Sequence, residues 1–252
     1  MPSQPHLPRM PRIYLIRHGE TEWSLSGAHT GRSDIPLTKN GEEVLSHLGQ
    51  QIVGDGNVLD RQNHIFRNGF RLSSAFIAHS LSKIYKSPRT RAQKTYELLF
   101  RSYKGGARLD RIPNETTEEV AEWDYGLYDG ITSQDIHSQR PDWDIFKDGC
   151  PEGESVDQVT LRVDGMIEKV KEIHREYWQK VQDGKYEAGT QGGDVLIVTH
   201  GHFSKCFLAR WCELPLITGK HFIVDAGGLS VGSYDHRDLR EPALQALNLY
   251  AL

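Results

Sequence analysis

Two short apolar segments of the chain each end in a His-Gly pair, in YLIRHG at residues 14–19 and LIVTHG at residues 196–201. An unprotonated imidazole is a good nucleophile, and the following glycine allows a tight turn directly after the ring. Apolar segments of this length are typical of strands buried in a parallel sheet, where ligands bind beyond the carboxyl ends of the strands. We therefore expect His18 and His200 to face one another at one edge of a sheet.

Three arginines are candidates to act together with these histidines. Arg17 directly precedes His18, and KSPRTRA at residues 86–92 predicts a strand that enters a helix capped by Ser87, with Arg89 and Arg91 in the first turn. The helix dipole disfavours cations there by roughly 0.3–1 kcal/mol, and a bound phosphate would compensate for this cost. We expect Arg89 to hold that anion and Arg91 to point into solvent.

Histidines set among arginines suit phosphoryl transfer. Arg17 and Arg89 would lower the pKa of His18, keep one ring nitrogen unprotonated, and neutralise the charge on a transferring phosphoryl group. A proton donor for the leaving oxygen is also needed. The segment AEWDYGLYDG, residues 121–130, offers three carboxyl groups flanked by aromatic residues, and spacing alone leaves all three open: Glu122, Asp124 and Asp129.

The amino-acid composition argues against several classes of protein. With 34 acidic and 30 basic residues among 252 and a pI near 6.3, no global positive field is available for nucleic acid or anionic lipid. Three cysteines without zinc spacing predict neither disulfides nor a metal knuckle and fit a reducing compartment. No segment has the apolar length of a membrane span. We expect a soluble, cytoplasmic protein that binds neither nucleic acid nor membrane and needs no metal or other cofactor; the sequence indicates no oligomeric state.

The remaining periodicity predicts the elements that hold these residues. Helices are expected after Thr38, after the capping box Ser155–Gln158, and over residues 202–214, and a hairpin around Asp225–Gly228. Residues 1–10 are predicted to form a disordered tail, and residues 54–82 an insertion or irregular connection within one domain, 11–252. Strands alternating with helices predict a single-domain α/β fold with a mostly parallel central sheet and helices on both faces.

Five motifs together resemble the histidine phosphatase superfamily, which also contains the cofactor-dependent phosphoglycerate mutases. They occur in the family's order: RHGET at 17–21, SPRTRA at 87–92, EWDYGLYDG at 122–130, GES at 153–155 and THGH at 199–202. The resemblance implies a phosphoglycerate mutase-like fold, phosphorylation of His18, and Glu122 as the proton donor. It assigns the phosphoryl oxygens to Arg17, Arg89 and His200.

Within that family the chain is most similar to the branch that hydrolyses sedoheptulose 1,7-bisphosphate and related sugar bisphosphates. The resemblance implies a metal-independent phosphatase acting on a small phosphorylated sugar, and a set of residues that would line the sugar and its second phosphate: Ser24, His29, Thr30, Trp123, Tyr125, Gly201, Lys205 and Gly227. Lys205 stands where the branch carries arginine and His29 where it carries tyrosine. Ser24 stands where the mutases usually carry asparagine, which favours hydrolysis over mutase chemistry.

Three other interpretations remain open. A mutase would return its substrate isomerised instead of releasing phosphate. A non-catalytic member of the fold would bind a phosphorylated partner without turnover. His200 and His202 alternate along the chain as metal ligands do, although no third ligand follows at a recognisable spacing and the arginines would repel a divalent cation.

Overall fold

The computed structural model describes residues 9–54, 76–77, 80–186 and 192–250. The strands within these ranges are β1 (Ile13–Arg17), β2 (Val53–Gly54), β3 (Phe76–Ile77), β4 (Leu81–Lys86), β5 (Asn114–Thr116), β6 (Asp194–Thr199), β7 (Leu229–Tyr234) and β8 (Pro242–Leu249). The helices are α1 (Glu22–Ser26), α2 (Lys39–Ile52), α3 (Thr90–Phe100), α4 (Gly106–Leu109), α5 (Ser133–Gln139), α6 (Ile145–Asp148), α7 (Val156–Gln182) and α8 (Gly201–Trp211).

Six strands form one sheet in the order β5-β4-β6-β1-β7-β8. The four strands β5, β4, β6 and β1 are parallel, and β7 and β8 extend the sheet in antiparallel pairs. The two predicted apolar strands are the neighbours β1 and β6 at the centre. Their continuous apolar sequence follows from burial on both faces, since every residue of β6 is buried.

Alternate residues of β1 and β6 point into two separate cores. Ile13, Leu15 and Val195 pack on one face with α7 and α8, while Tyr14 and Ile16 pack on the other with α2 and α3. The predicted α/β fold, with a mostly parallel sheet covered by helices on both faces, is confirmed. None of the helices in the described ranges combines the length and the apolar character needed to cross a bilayer.

The predicted helix starts at Thr38 and Ser155 are confirmed. The Thr38 hydroxyl accepts from the Gly41 N–H and begins α2. Ser155 and Gln158 form the reciprocal capping box that begins α7. The predicted third helix over residues 202–214 is α8, which begins one residue earlier, ends three residues earlier, and places His200 at its N-cap.

The start of α3 differs from the prediction. Arg89 is the N-cap residue, with an extended backbone, and the helix begins at Thr90. Ser87 does not cap it. The cap comes from outside the helix: the Asp34 carboxylate accepts from the Thr90 N–H at 2.8 Å and from the Thr90 hydroxyl at 2.9 Å. The helix N-terminus therefore already holds a protein carboxylate, and the expected phosphate there is not needed.

The C-terminal hairpin lies at a different position from the predicted one. It is formed by β7 and β8 and closes where the Asp235 N–H donates to the Glu241 carbonyl, whereas the predicted turn at Asp225–Gly228 leads into β7 from irregular chain. Residues 222–224 form no strand, and the Val224 carbonyl accepts a hydrogen bond from Arg17 at 2.7 Å. This segment covers the edge where the histidines lie.

Most of the predicted tail and of the predicted insertion lies outside the described residues. At the end of the tail, Arg9 forms an ion pair with the buried Asp194, and the Met10 side chain is buried. Within 54–82, Val53 and Gly54 pair with Phe76 and Ile77 in a two-stranded parallel sheet. The regular structure of β4 begins at Leu81.

Candidate active site

Three neighbouring parallel strands end at the same level of the sheet. Arg17, the last residue of β1, pairs with Thr199 at the end of β6, and the last residue of β4 is Lys86. The residues that follow are therefore brought together at one edge: His18, His200 and Ser87. The rings of His18 and His200 lie 5.1 Å apart, edge to face. The expectation that the two histidines face one another is met by this geometry.

The imidazole of His18 has a defined tautomer. Its Nδ1 lies 2.7 Å from the Gly19 carbonyl oxygen, which can only accept, so the proton of the neutral ring is on Nδ1 and Nε2 carries the lone pair. Burial lowers the pKa of His18 well below its usual value, and the charges of Arg17 and Arg91 lower it further. The ring is therefore neutral at pH 7, with Nε2 available as a nucleophile.

His200 is fully buried beside it. Its Nε2 lies 2.7 Å from the Ser87 hydroxyl, whose oxygen also accepts, at 3.4 Å, from the N–H of Arg89, the residue before α3. Burial is the main reason that the pKa of His200 is far below its usual value, followed by the charge of Arg91. Sequence reasoning missed this use of Ser87, whose small polar side chain directly follows a strand end.

The second guanidinium near the histidines is that of Arg91, not Arg89. Arg91 is 0% exposed, and the expectation that it points into solvent is wrong. Its Nη1 and Nη2 donate to the carbonyls of Ser33, Thr30 and Gly31 at 2.8, 2.9 and 3.2 Å. Helical spacing could have predicted the burial of Arg91, because Arg91, Thr95 and Leu98 share the buried face of α3.

Arg89 points away from the pocket. Both of its terminal nitrogens lie 3.1 Å from the Glu118 carboxylate, and its Nε donates to the Gly31 carbonyl at 3.3 Å. Its charge acts on His200 but is not among the causes that lower the pKa of His18. The structure thus places the charge of Arg91, not that of Arg89, next to His18, where the sequence analysis expected Arg89.

Three buried nitrogens around His18 have no hydrogen-bond partner among the described residues. They are Nε of Arg17, Nε of Arg91 and Nδ1 of His200. A buried polar atom without a partner costs roughly 1–3 kcal/mol, and each of the two Nε atoms carries a proton to donate. The cluster therefore has unused donor capacity of the kind that a bound oxyanion satisfies.

Among the three candidate carboxyl groups, only Glu122 lines the pocket. Its Oε1 accepts from the N–H groups of Trp123 and Phe203 at 2.9 and 2.8 Å, and its Oε2 accepts from the His202 N–H at 3.0 Å. The last two donors belong to the first turn of α8. These three bonds fix the direction of the side chain toward the pocket.

The other two carboxylates bind neighbouring chain segments. Asp129 accepts from the backbone N–H groups of Gly31 and Ser33 at 2.7 and 3.0 Å and from the Ser33 hydroxyl at 2.6 Å. Asp124 pairs with Arg32 at 2.8 Å. Asp129 thus holds the loop whose carbonyls bind Arg91. Geometry selects Glu122, which sequence spacing could not do.

A cavity of about 180 Å³ opens next to His18. Of the predicted site residues, nine line it: Arg17, His18, Ser24, His29, Thr30, Glu122, Tyr125, Gly201 and Lys205. Sequence reasoning missed Trp23, Gly27, Ala28, His202 and Val224, which also line it. At Gly201, a Cβ atom would lie 3.4 Å from Arg17 Nε and 3.6 Å from Glu122 Oε2, so the glycine keeps the space between these two groups open.

Two predicted substrate contacts are corrected. Trp123 is 0% exposed, and its indole donates to the Glu154 carbonyl at 3.0 Å, so its ring belongs to the core. Gly227 is not among the pocket residues. Its N–H lies 3.2 and 3.1 Å from the carbonyls of Arg17 and His18, and its φ of +74° explains the need for glycine.

The side of the cavity away from His200 combines aromatic rings with a cation. His29 stacks on Tyr125 with ring centroids 4.6 Å apart, and the Tyr125 hydroxyl lies 2.7 Å from Nδ1 of His202. Burial lowers the pKa of His29 to about 4, so its ring is neutral at pH 7. Burial, then the charge of Arg17, lowers the pKa of the Lys205 ammonium, which forms no ion pair within the described ranges.

No metal site is formed within the described part of the chain. His200 and His202 are each bonded through a ring nitrogen, to Ser87 and Tyr125 respectively. In the part of the chain that the structure describes, no group of three or more His, Cys, Asp or Glu side chains could hold a metal ion.

Known proteins resemble the chain over most of its length. A family model described as the histidine phosphatase superfamily (branch 1) matches residues 13–58 and 70–248. Sedoheptulose 1,7-bisphosphatase of Saccharomyces cerevisiae is 30% identical over 276 aligned residues, covering 93% of this chain and 92% of that protein. An acid phosphatase of Mycobacterium tuberculosis is 32% identical over 225 residues, covering 89% and 87%. The solved structure of a Mycobacterium tuberculosis open reading frame superposes with a TM-score of 0.67 at 30% identity, covering 96% and 98%.

Proposed function

The chain belongs to the histidine phosphatase superfamily (branch 1), and on that premise we propose that it hydrolyses a sugar bisphosphate through a phosphohistidine at His18. The family and its phosphatase relatives make the chain a phosphoric monoester hydrolase. The substrate is sedoheptulose 1,7-bisphosphate or a related sugar phosphate, and no metal takes part.

One observation carries the proposal: His18, with its lone pair on Nε2, lies close to His200 and within the charge of Arg17 and Arg91, and each of these three residues has a buried nitrogen without a partner. Arg17 Nε and Arg91 Nε donate to the phosphoryl group. With the Ser87 hydroxyl donating to His200 Nε2, the proton of His200 is on Nδ1, which supplies a third donor. Three donors match the three equatorial oxygens on which charge is spread in the transition state.

In the first step, Nε2 of His18 attacks phosphorus and the bond from phosphorus to the bridging oxygen breaks. Glu122 in its acid form gives its proton to that oxygen, and the alcohol leaves. In the second step, water attacks the phosphohistidine, the P–N bond breaks, and Glu122 takes a proton from the water. Inorganic phosphate leaves, and His18 and Glu122 return to their starting states.

The substrate class rests on Lys205 and on the likeness to the yeast bisphosphatase. Lys205 is a cation in a partly buried wall of the pocket, and it forms no ion pair within the described ranges. A second phosphate at the far end of the substrate would supply the missing anion. The S. cerevisiae relative, 30% identical, is named for a bisphosphate. Neutral His29 and Tyr125 beside Lys205 offer hydrogen bonds and ring faces to the sugar between the two phosphates.

A phosphate-release screen across matched mono- and bisphosphorylated sugars tests this proposal, with and without a chelator. We expect release without metal, a higher kcat/KM for bisphosphates, and loss of that preference in Lys205→Met but not in Lys185→Met, whose lysine is exposed near the end of α7. Isomerised substrate without net release would indicate a mutase. No turnover of any substrate would indicate a binding protein.

A further inference from the structure

We propose that Arg162 is a positioning residue for the proton donor, although it lies in α7 and does not line the pocket. It joins the chain segment that carries Glu122 to the helix end that holds the Glu122 carboxylate. The inference rests on the proposed function, in which Glu122 protonates the leaving oxygen.

The guanidinium of Arg162 binds the backbone around Glu122. Its Nη1 donates to the carbonyls of Ala121 and Glu119 at 2.9 and 3.2 Å, and its Nη2 lies 3.3 Å from the carbonyl of Glu122 itself. A planar guanidinium presents its donors in a fixed fork, so it can hold several carbonyls of one turn at once. Lysine cannot reproduce this pattern.

The opposite side of the same segment is held by Glu154, the ion-pair partner of Arg162. Arg162 Nε and Nη2 lie 2.8 and 2.7 Å from the Glu154 carboxylate, and the two side chains are 17% and 19% exposed. The backbone of Glu154 accepts from the Trp123 indole and donates to the Asp124 carbonyl, while its carboxylate accepts from the Asp124 N–H. Glu122 is thus bracketed by one connected network.

Arg162 also contacts the element that binds the Glu122 side chain. Its guanidinium carbon lies 5.5 Å from the ring centre of Phe203, whose N–H donates to Glu122 Oε1. The same residue therefore fixes the main chain of Glu122 and touches the first turn of α8. Because the direction of the carboxylate depends on the distance between these two parts, loss of the guanidinium should displace it.

Loss of the Arg162 guanidinium should chiefly slow the hydrolysis of substrates whose leaving oxygen needs a proton. Displacement of a reacting group by about 1 Å can cost on the order of 100-fold in rate. A nitrophenolate leaves without protonation, whereas an unsubstituted phenolate leaves poorly unless it is protonated. Misplacement of Glu122 should therefore slow phenyl phosphate far more than p-nitrophenyl phosphate, while a general loss of folded enzyme would slow both equally.

The test compares kcat/KM for these two substrates in four proteins: wild type, Arg162→Lys, Glu122→Gln as the reference for a lost donor, and Arg210→Lys as the matched control. Arg210 forms a similar bidentate pair, with Asp164, between α8 and α7 but binds no carbonyl of the Glu122 segment. Far-ultraviolet circular dichroism and phosphoenzyme burst titration give the folded and active fraction of each protein.

We expect the ratio of kcat/KM for p-nitrophenyl phosphate to that for phenyl phosphate to rise on the order of 10²-fold or more in Glu122→Gln. It should rise about tenfold in Arg162→Lys and stay unchanged in Arg210→Lys. A ratio in Arg162→Lys equal to that of wild type would overturn this inference while leaving the proposed function intact. An unchanged ratio in Glu122→Gln would instead overturn the donor assignment, and the inference with it.

Discussion

At the residue scale, the site is a set of neutral imidazoles next to permanent cations. His18 and His200 are buried, and Arg91 lowers the pKa of both. The guanidinium of Arg91 is itself held by three backbone carbonyls, so it cannot turn away when no anion is bound. Such fixed donors need no reorganisation when charge develops on the substrate, which is how preorganised sites stabilise transition states.

The two arginines of the SPRTRA motif should therefore differ in effect. We expect Arg91→Lys to lower kcat/KM on the order of 10²–10³-fold, because lysine keeps the charge but loses the Nε donor and the carbonyl contacts. Arg89→Lys, which mainly breaks an exposed pair with Glu118, should cost at least about tenfold less. Steady-state kinetics on correctly folded proteins measures both, and a larger effect at Arg89 would refute the assignment.

Individual residues of the site differ in how far the sequence alone could identify them. The placement of Arg17, His18 and His200 at one edge of the sheet could be predicted because strand ends bring them there, whereas only the resemblance singled out Glu122. Arg91 could not be separated from Arg89, since the choice depends on Asp34, which caps α3 and fixes where the helix begins. A carboxylate 56 positions away leaves no signal in the local pattern.

At the element scale, α2 packs closely against α3, the helix that carries Arg91, on one face of the sheet. Their contact depends on Gly49 in α2, where a Cβ atom would lie 2.3 Å from the Leu99 carbonyl oxygen and 2.8 Å from the Leu99 Cα. These are backbone atoms, which cannot move aside without shifting a helix. Glycine is therefore required at this position although it lowers helix propensity.

Replacement of two helical glycines by alanine tests this packing. Gly49→Ala should lower the free energy of unfolding by roughly 1–3 kcal/mol because it overpacks the contact between α2 and α3. Gly165→Ala in α7, where a Cβ would meet nothing within 4 Å, should raise it by roughly 0.5–1 kcal/mol. Urea unfolding of the two variants measures the difference, and stabilisation by both would contradict the packing described.

The elements were predictable wherever local signals agree. The strands β1 and β6 and the capped helices α2 and α7 follow from apolar runs and capping residues. The C-terminal hairpin was misplaced because the glycines at 227 and 228 do form a turn, but the residues before that turn form no strand and instead contact Arg17 through the Val224 carbonyl.

At the scale of the whole molecule, five histidines among the residues that the structure describes have a lowered pKa, chiefly through burial: His18, His29, His174, His200 and His202. Each is neutral in the folded protein, whereas in the unfolded chain it gains a proton below about pH 6.5. The folded state therefore binds fewer protons, and stability that is present above pH 6.5 is lost as the pH falls. Acid should weaken this fold well before the carboxylates titrate.

His174 isolates this effect because it lies far from the pocket. It is fully buried, its Nδ1 lies 2.9 Å from the Tyr234 hydroxyl, and burial lowers its pKa to about 3. Between about pH 7 and about pH 5 this one histidine should account for a loss of about 2 kcal/mol in the free energy of unfolding.

Urea unfolding at both pH values should show that loss reduced in His174→Gln. Tyr234→Phe removes the hydrogen bond but keeps the imidazole, so it should lower stability and preserve the pH dependence. Equal pH dependence in wild type and His174→Gln would show that His174 does not contribute.

The central claim is that His18 carries the phosphoryl group during turnover. Acid- and base-quench experiments with a substrate labelled in its phosphate measure this directly, with peptide mapping of the labelled residue. We expect an acid-labile, base-stable label on His18 that forms at least as fast as phosphate is released, and none in His18→Gln, which should not turn over. Phosphate release by wild type without any label on His18, or turnover by His18→Gln at an undiminished rate, would contradict the account.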